Sequence, residues 1–153
     1  MSFSHTTPAS TPPKAVLFDA YGTLFDVYSV GLLAEQLFPS YGASIATLWR
    51  DKQIEYTRLL ITSTTAGGQT NAPFYKPFWD VTRDALRYAC AKLGLQLHSE
   101  SEQRLMNQYR ALSAFPENKG VLQALKAKGI PTGILSNGDP AMLDVAISSA
   151  GLN

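Results

Sequence analysis

Cysteine is almost absent from this sequence. Cys90 is the single one in 153 residues, which excludes an intrachain disulfide framework and any multi-cysteine zinc site. Histidine is nearly as scarce: two residues, one of them in the N-terminal stretch, leave little material for a His-based metal site. An excess of charge of one sign is missing too. A net charge of +1 argues against a nucleic-acid or membrane-surface partner, both of which need a surplus of Lys and Arg. No apolar run approaches the roughly 20 residues of a membrane span. What is plentiful is core material: 45% hydrophobic and only 16% charged residues suit one ordinary folded domain.

Met1–Pro13 is rich in Ser, Thr and Pro and has no apolar segment. It reads as a disordered leader rather than a signal peptide, which makes the cytoplasm the expected compartment. Ala15–Phe18 is a short apolar run that ends at Asp19, with the Tyr21-Gly22-Thr23 turn immediately after it. A buried strand with a carboxylate at its carboxyl end is the better reading, and open α/β sheets bind ligands at that end. Ser44–Thr62 has helical spacing through Ile45, Leu48, Trp49, Leu59 and Leu60, with Arg50 beside the stripe. Thr64–Pro73 is a loop by composition, either a lid or a slack connection. Phe78–Leu93 reads as a helix stopped by Gly94, with Cys90 on its core face. His98 reads as a surface residue, and Ser99–Leu112 opens with a Ser99-x-x-Glu102 capping box.

Pro116–Lys128 is a further helix with Val121, Leu122 and Leu125 inward. Ile130–Leu135 is a second strand, which ends in Ser136-Asn137-Gly138-Asp139. Asp139 then caps a helix that starts at Pro140 and runs to Gly151. The layout is the opening half of a three-layer α/β fold with a helical cap inserted after the first strand. It divides into a leader (1–13), a partial core (14–27 and 113–153) and a cap (28–112). Two strands fall short of the five or so of a doubly wound sheet, so the chain reads as cut short, with an open apolar edge.

Asp19 carries the sharpest chemical signal. Backbone N–H groups of the turn and a hydroxyl at Thr23 can keep its carboxylate ionised and aimed, as a nucleophile requires. The plainer alternative is an Asp that only closes a turn. Arg50 has the alternative of a surface ion pair. Ser136 and Asn137 could form a simple turn, and Tyr21 could be a pocket wall or plain packing.

Asp19-Ala20-Tyr21-Gly22-Thr23-Leu24 resembles motif one of the haloacid-dehalogenase superfamily. Superfamily phosphatases carry a second Asp where this chain has Tyr21. That Asp serves as acid and base, and its carbonyl helps hold magnesium, so Tyr21 speaks for halide displacement rather than phosphoryl transfer. Leu24–Val27, Leu48–Thr57, Asp84–Tyr88 and Ile134–Gly138 also resemble the L-2-haloacid dehalogenases in order and spacing.

The resemblance implies a haloacid-dehalogenase-like α/β fold with a Rossmann-like parallel sheet, and a hydrolase that turns short L-2-haloacids into D-2-hydroxy acids. Asp19 would be the nucleophile, held by Thr23. Ala20 and Tyr21 N–H groups with Ser136 would bind the substrate carboxylate, and Arg50 with Asn137 would stabilise the departing halide. No metal or cofactor is implied. The partners would be a small 2-haloacid, halide and a second copy in a homodimer. The family's third motif supplies a lysine, which Lys119, Lys126 and Lys128 do not match, and its fourth positions the hydrolytic water. The competing readings are a non-catalytic piece that self-associates through its open edge, and a superfamily phosphatase.

Overall fold

The computed structural model describes residues 13–65 and 76–152. The leader through residue 12 and the 66–73 part of the expected loop lie outside the described residues. The elements run β1 (Val16–Phe18), α1 (Gly31–Leu37), α2 (Gly42–Thr65), α3 (Phe78–Lys92), α4 (Ser99–Arg110), α5 (Asn118–Ala127), β2 (Thr132–Ile134) and α6 (Pro140–Ala150). The two strands pair in parallel, with Val16 opposite Thr132 and Phe18 opposite Ile134. Their carboxyl ends, Asp19 and the Ser136–Asp139 turn, therefore lie side by side.

Five helices stand between the strands in sequence. Helix α1 was not foreseen, because Gly31–Leu37 is too short to show a period. It packs on α2 through a close backbone approach. A Cβ on Gly42 would come within 2.6 Å of the Gly31 carbonyl oxygen and 2.8 Å of the Glu35 nitrogen, contacts that only glycine allows. Glu35 also anchors the start of α2, its carboxylate accepting from Ser40 N–H at 2.6 Å and Gly42 N–H at 2.8 Å. These bonds hold the Glu35 carboxyl below the usual range.

Helix α2 buries Ile45, Ala46, Trp49 and Gln53, a stripe at four-residue spacing with a polar member. Leu59, expected in that stripe, is exposed, since the helical period carries it off the buried face. Helix α3 buries Phe78, Val81, Ala85 and Leu86 together with Cys90, which is on the core face as expected and whose thiol burial pushes up to about 11. Helix α4 buries Leu105, Met106 and Tyr109.

Its capping box does not form. Ser99 is already helical, His98 is the cap position, and no side-chain cap bond is made. Glu102 reaches instead to Arg87 on α3 with two bonds, at 2.7 and 2.8 Å. A paired guanidinium is the stronger partner for a carboxylate than one backbone N–H.

Three further expectations at the sheet are corrected. The first strand is not buried on both sides: Leu17 is 66% exposed, and Leu135 beside β2 is 72% exposed. Only two strands and their adjoining helices are present among the described residues to cover them. Val121 is likewise exposed on α5, while Leu122 and Leu125 are half-buried. Asp139 does occupy the cap position of α6, but its side chain makes no bond there. Its carboxylate accepts from Trp79 N–H at the start of α3, at 3.1 Å, where an unpaired helix donor and the helix dipole favour an anion.

Two outcomes follow. Gly42→Ala should destabilise the fold by about 1–3 kcal/mol, because backbone must move, whereas Gly31→Ala, meeting the Ala46 Cβ and the Gly42 carbonyl oxygen at an ordinary 3.5 Å, should cost far less; urea unfolding separates them. The Glu35 contribution is present above the carboxylate's unfolded pKa and is lost as pH falls through its lowered folded value. The stability gap between wild type and Glu35→Gln should therefore be open at neutral pH and close in acid.

Candidate active site

The site starts at the turn after β1. Thr23 Oγ1 donates to Asp19 Oδ2 at 3.3 Å. The turn closes on the Ala20 carbonyl, which accepts from Leu24 N–H at 2.8 Å and Phe25 N–H at 2.9 Å. Gly22 has φ +96°, and a Cβ there would sit 3.2 Å from Arg50 Nη2, so both backbone and space favour glycine. The N–H groups of Ala20 and Tyr21 donate to no partner among the described residues. Asn118, buried at the start of α5, clamps the far side of the turn by donating to the Thr23 carbonyl at 3.1 Å and the Leu24 carbonyl at 2.8 Å.

Arg50 is not the surface residue of the plainer alternative. It is half-buried, its Nη2 donating to the Tyr21 carbonyl at 2.7 Å and its Nη1 to Gln53 Oε1 at 2.9 Å. Gln53 is fully buried. Its oxygen also accepts from the Tyr109 hydroxyl at 3.0 Å, and its amide donates to Thr82 Oγ1 at 2.6 Å. Thr82 passes its own proton to the Phe78 carbonyl at 2.8 Å, and its carbonyl accepts from Trp49 Nε1 at 2.7 Å. One buried network thus joins α2, α3, α4 and the turn after β1, with each of these groups satisfied. Burial pushes the Tyr109 hydroxyl up to about 12, against the opposing pull of Arg50, so it stays a neutral donor.

A cavity of about 280 Å³ opens where these elements meet. Asp19, Tyr21, Arg50, Ser136 and Asn137 all line it, so five sequence-selected residues, from three separate segments, converge. Thr23 acts from behind, through Asp19. Ile54, Ile61 and Phe78 add apolar wall, and Thr57 and Arg58 extend the lining along α2. Ser136 also accepts from Gly138 N–H at 3.1 Å, so it makes the turn and faces the cavity at once.

Tyr21 is both wall and packing. It is 3% exposed, with its ring 5.3 Å from Phe78 and 5.9 Å from Tyr109. Its buried hydroxyl has no hydrogen-bond partner among the described residues, and burial raises its pKa.

The model of the haloacid dehalogenase-like hydrolase family matches residues 13–153. The chain belongs to the haloacid dehalogenase-like hydrolases. It is 41% identical over 139 residues to an (S)-2-haloacid dehalogenase of Pseudomonas sp. (strain YL), covering 91% of this chain and 56% of that protein. Against the (S)-2-haloacid dehalogenase of Pseudomonas putida it is 38% identical over 140 residues, or 92% of this chain and 58% of the relative. The chain therefore spans a little over half the length of the curated relatives it matches. A crystal structure of an L-2-haloacid dehalogenase superposes with TM-score 0.83 at 57% identity, over 94% of this chain and 61% of that one. The L-2-haloacid dehalogenase of Xanthobacter autotrophicus, solved with chloropropionic acid covalently bound, superposes with TM-score 0.78 at 38% identity, over 92% of this chain and 53% of that one. The hydrolase fold expected from motif one is the fold of these neighbours.

Sequence reasoning missed Gln53, Thr82, Tyr109 and Asn118 as supports of the site. For Gln53 a signal existed, since it falls four residues after Trp49 and eight after Ile45, on the buried face. Gln53→Leu should cost about 2–4 kcal/mol, because it orphans the buried Tyr109 hydroxyl and frees Arg50. Tyr109→Phe leaves Gln53 paired with Arg50 and should cost about 1 kcal/mol. Equal losses for the two variants in urea unfolding would show that Gln53 is not the centre of the network.

Proposed function

We propose that this chain carries the nucleophile and halide-binding half of a hydrolytic L-2-haloacid dehalogenase. The observation that carries the reading is the convergence of Asp19, Arg50, Ser136 and Asn137 on one cavity, with Tyr21 where a phosphatase needs an acid–base aspartate. The chain's curated relatives bear that activity in their names.

In the proposed reaction a carboxylate oxygen of Asp19 attacks the halogen-bearing carbon from the side opposite the halogen. The carbon–oxygen bond forms as the carbon–halogen bond breaks, and the halide leaves with the electron pair. Negative charge grows on the halogen in the transition state, where the Arg50 guanidinium and the Asn137 amide would stabilise it. The free Ala20 and Tyr21 N–H groups and the Ser136 hydroxyl would hold the substrate carboxylate. Water then adds to the Asp19 acyl carbon, releasing the inverted 2-hydroxy acid and restoring the carboxylate. The apolar wall of Tyr21 and Phe78 raises the value of each of these charge contacts by excluding water. No step needs a metal or a cofactor. Helical residues 28–112 would act as a cap over a core of 14–27 and 113–153, and the cytoplasm is the proposed site of action.

The phosphatase reading loses a specific atom. The Tyr21 carbonyl, which a phosphatase would offer to magnesium, already accepts from Arg50 at 2.7 Å. Self-association is the second reading, and the exposed Leu17 and Leu135 favour it. A size that grows with concentration, without any halide release, would establish it.

Halide release from (S)-2-chloropropionate, measured on this chain together with the third and fourth motifs that its longer relatives carry, tests the proposal. Asp19→Asn should lower the rate by more than about 10³, because removing a nucleophile removes the covalent path. Release at the original rate by that variant would exclude Asp19 as the attacking group.

A further inference from the structure

The proposed chemistry uses Arg50 and leaves a second guanidinium at the same cavity unexplained. Arg58 lines the cavity with Asp19 and Arg50. It has no ion-pair partner among the described residues. The nearest carboxylate on its own helix face, Glu55, is taken by Lys52 at 2.6 Å. Arg50, Ile54 and Arg58 recur at four-residue spacing on α2, so the helix presents cation, apolar side chain, cation along one wall.

Eight residues of helix separate the two arginine backbones by about 12 Å. Helical side chains lean toward the N-terminus, which brings the Arg58 head back toward Ile54 and the cavity. Arg50 is fixed at the inner end by the Tyr21 carbonyl and Gln53. The outer cation therefore faces whatever continues beyond the reacting carbon. A two- or three-carbon acid has nothing to offer there, and its one carboxylate is already assigned to the Ala20 and Tyr21 N–H groups and Ser136.

We infer that Arg58 is a specificity-determining residue that recognises a second anionic group, and that the favoured substrate class is a short 2-halodicarboxylate. Its free carboxylate would lie past Ile54 against Arg58, with C2 at Asp19. This inference rests on the dehalogenase reading of the same cavity. The distal contact is the same in ground and transition states, so it acts on KM rather than kcat.

The test compares (S)-2-chlorosuccinate with (S)-2-chlorobutyrate, which differ by the distal carboxylate. It is run on the full chain and on Arg58→Gln and Arg58→Lys, with circular dichroism to confirm folding. Wild type should favour the diacid through KM. Arg58→Gln should lower the diacid-to-monoacid ratio of kcat/KM about tenfold, the size of one charge-assisted contact. Arg58→Lys should recover part of it.

Binding of the unreactive products, D-malate against D-2-hydroxybutyrate, is followed by calorimetry and gives the same ratio without turnover. An Arg58-dependent diacid preference in binding, with no halide release from either acid, would leave the inference standing and remove the dehalogenase reading. Halide release with no diacid preference, or a ratio unchanged in Arg58→Gln, overturns the inference and leaves the reaction intact. Absence of both release and diacid preference overturns both.

Discussion

The buried amide of Gln53 is the constraint on which the rest of the site depends. Its oxygen accepts hydrogen bonds from Arg50 and Tyr109, and its nitrogen donates one to Thr82. A neutral amide does both at once from two separate atoms. Each bond contributes only about 1 kcal/mol net, but leaving any partner unpaired in this setting costs more than forming the bond gains. The network is therefore stable as a whole or strained as a whole. That property fixes the Arg50 guanidinium over the Tyr21 carbonyl, with α3 and α4 held in matching positions. Three aromatic rings, Trp49, Tyr109 and Tyr21, pack around the network and keep water from competing for it.

The catalytic carboxylate proposed here is held differently. Asp19 is exposed, and its fixed contact is one long bond from Thr23. Its position comes from the backbone beneath it: the strand register, the Ala20 carbonyl taking the turn's N–H groups, and Asn118 clamping the next two carbonyls. The same region carries both connections to the helical segment. Asp26 N–H donates to the Ser113 carbonyl at 2.8 Å and Phe115 N–H to the Leu24 carbonyl at 3.2 Å. The outgoing and returning chains are thus tied to each other beside Asp19. A shift of the helices would be felt first at the turn that aims the carboxylate, and the bond from Asp139 to the start of α3 gives a third tie across the same boundary.

The sheet is sparsely covered in the described structure. Phe18, Leu24, Ile134, Leu143 and Ile147 line an apolar groove of about 420 Å³ on it. Relatives that share this fold are longer than this chain by well over half of its length, as the coverages of 56–58% show. Apolar surface of this kind is favourable to cover, at roughly 25 cal/mol per Å². It stands apart from the cavity at Asp19, whose walls come from α2, α3 and the two turns.

Local chemistry was enough to read several things from the residues alone. The run before Asp19, Gly94, Gly129 and Gly151 after three of the helices, and Pro140 mark where elements begin and end, because those preferences are properties of one or two residues. The order of motif-one Asp19, Arg50 and Ser136-Asn137 was legible for the same reason. Partner choice was not legible. Glu102 had a capping role available three residues back and took Arg87 instead, and Asp139 left its own helix for Trp79. Gln53 looked like any polar helix residue, yet it is the most consequential buried one. Periodicity places a side chain on a face but says nothing of what lies opposite. A hydrogen bond or ion pair between residues fifteen to sixty positions apart exists only after packing has brought the helices together. The sequence alone determined which groups could do chemistry; tertiary structure decided which of them share a cavity and which are spent holding others in place.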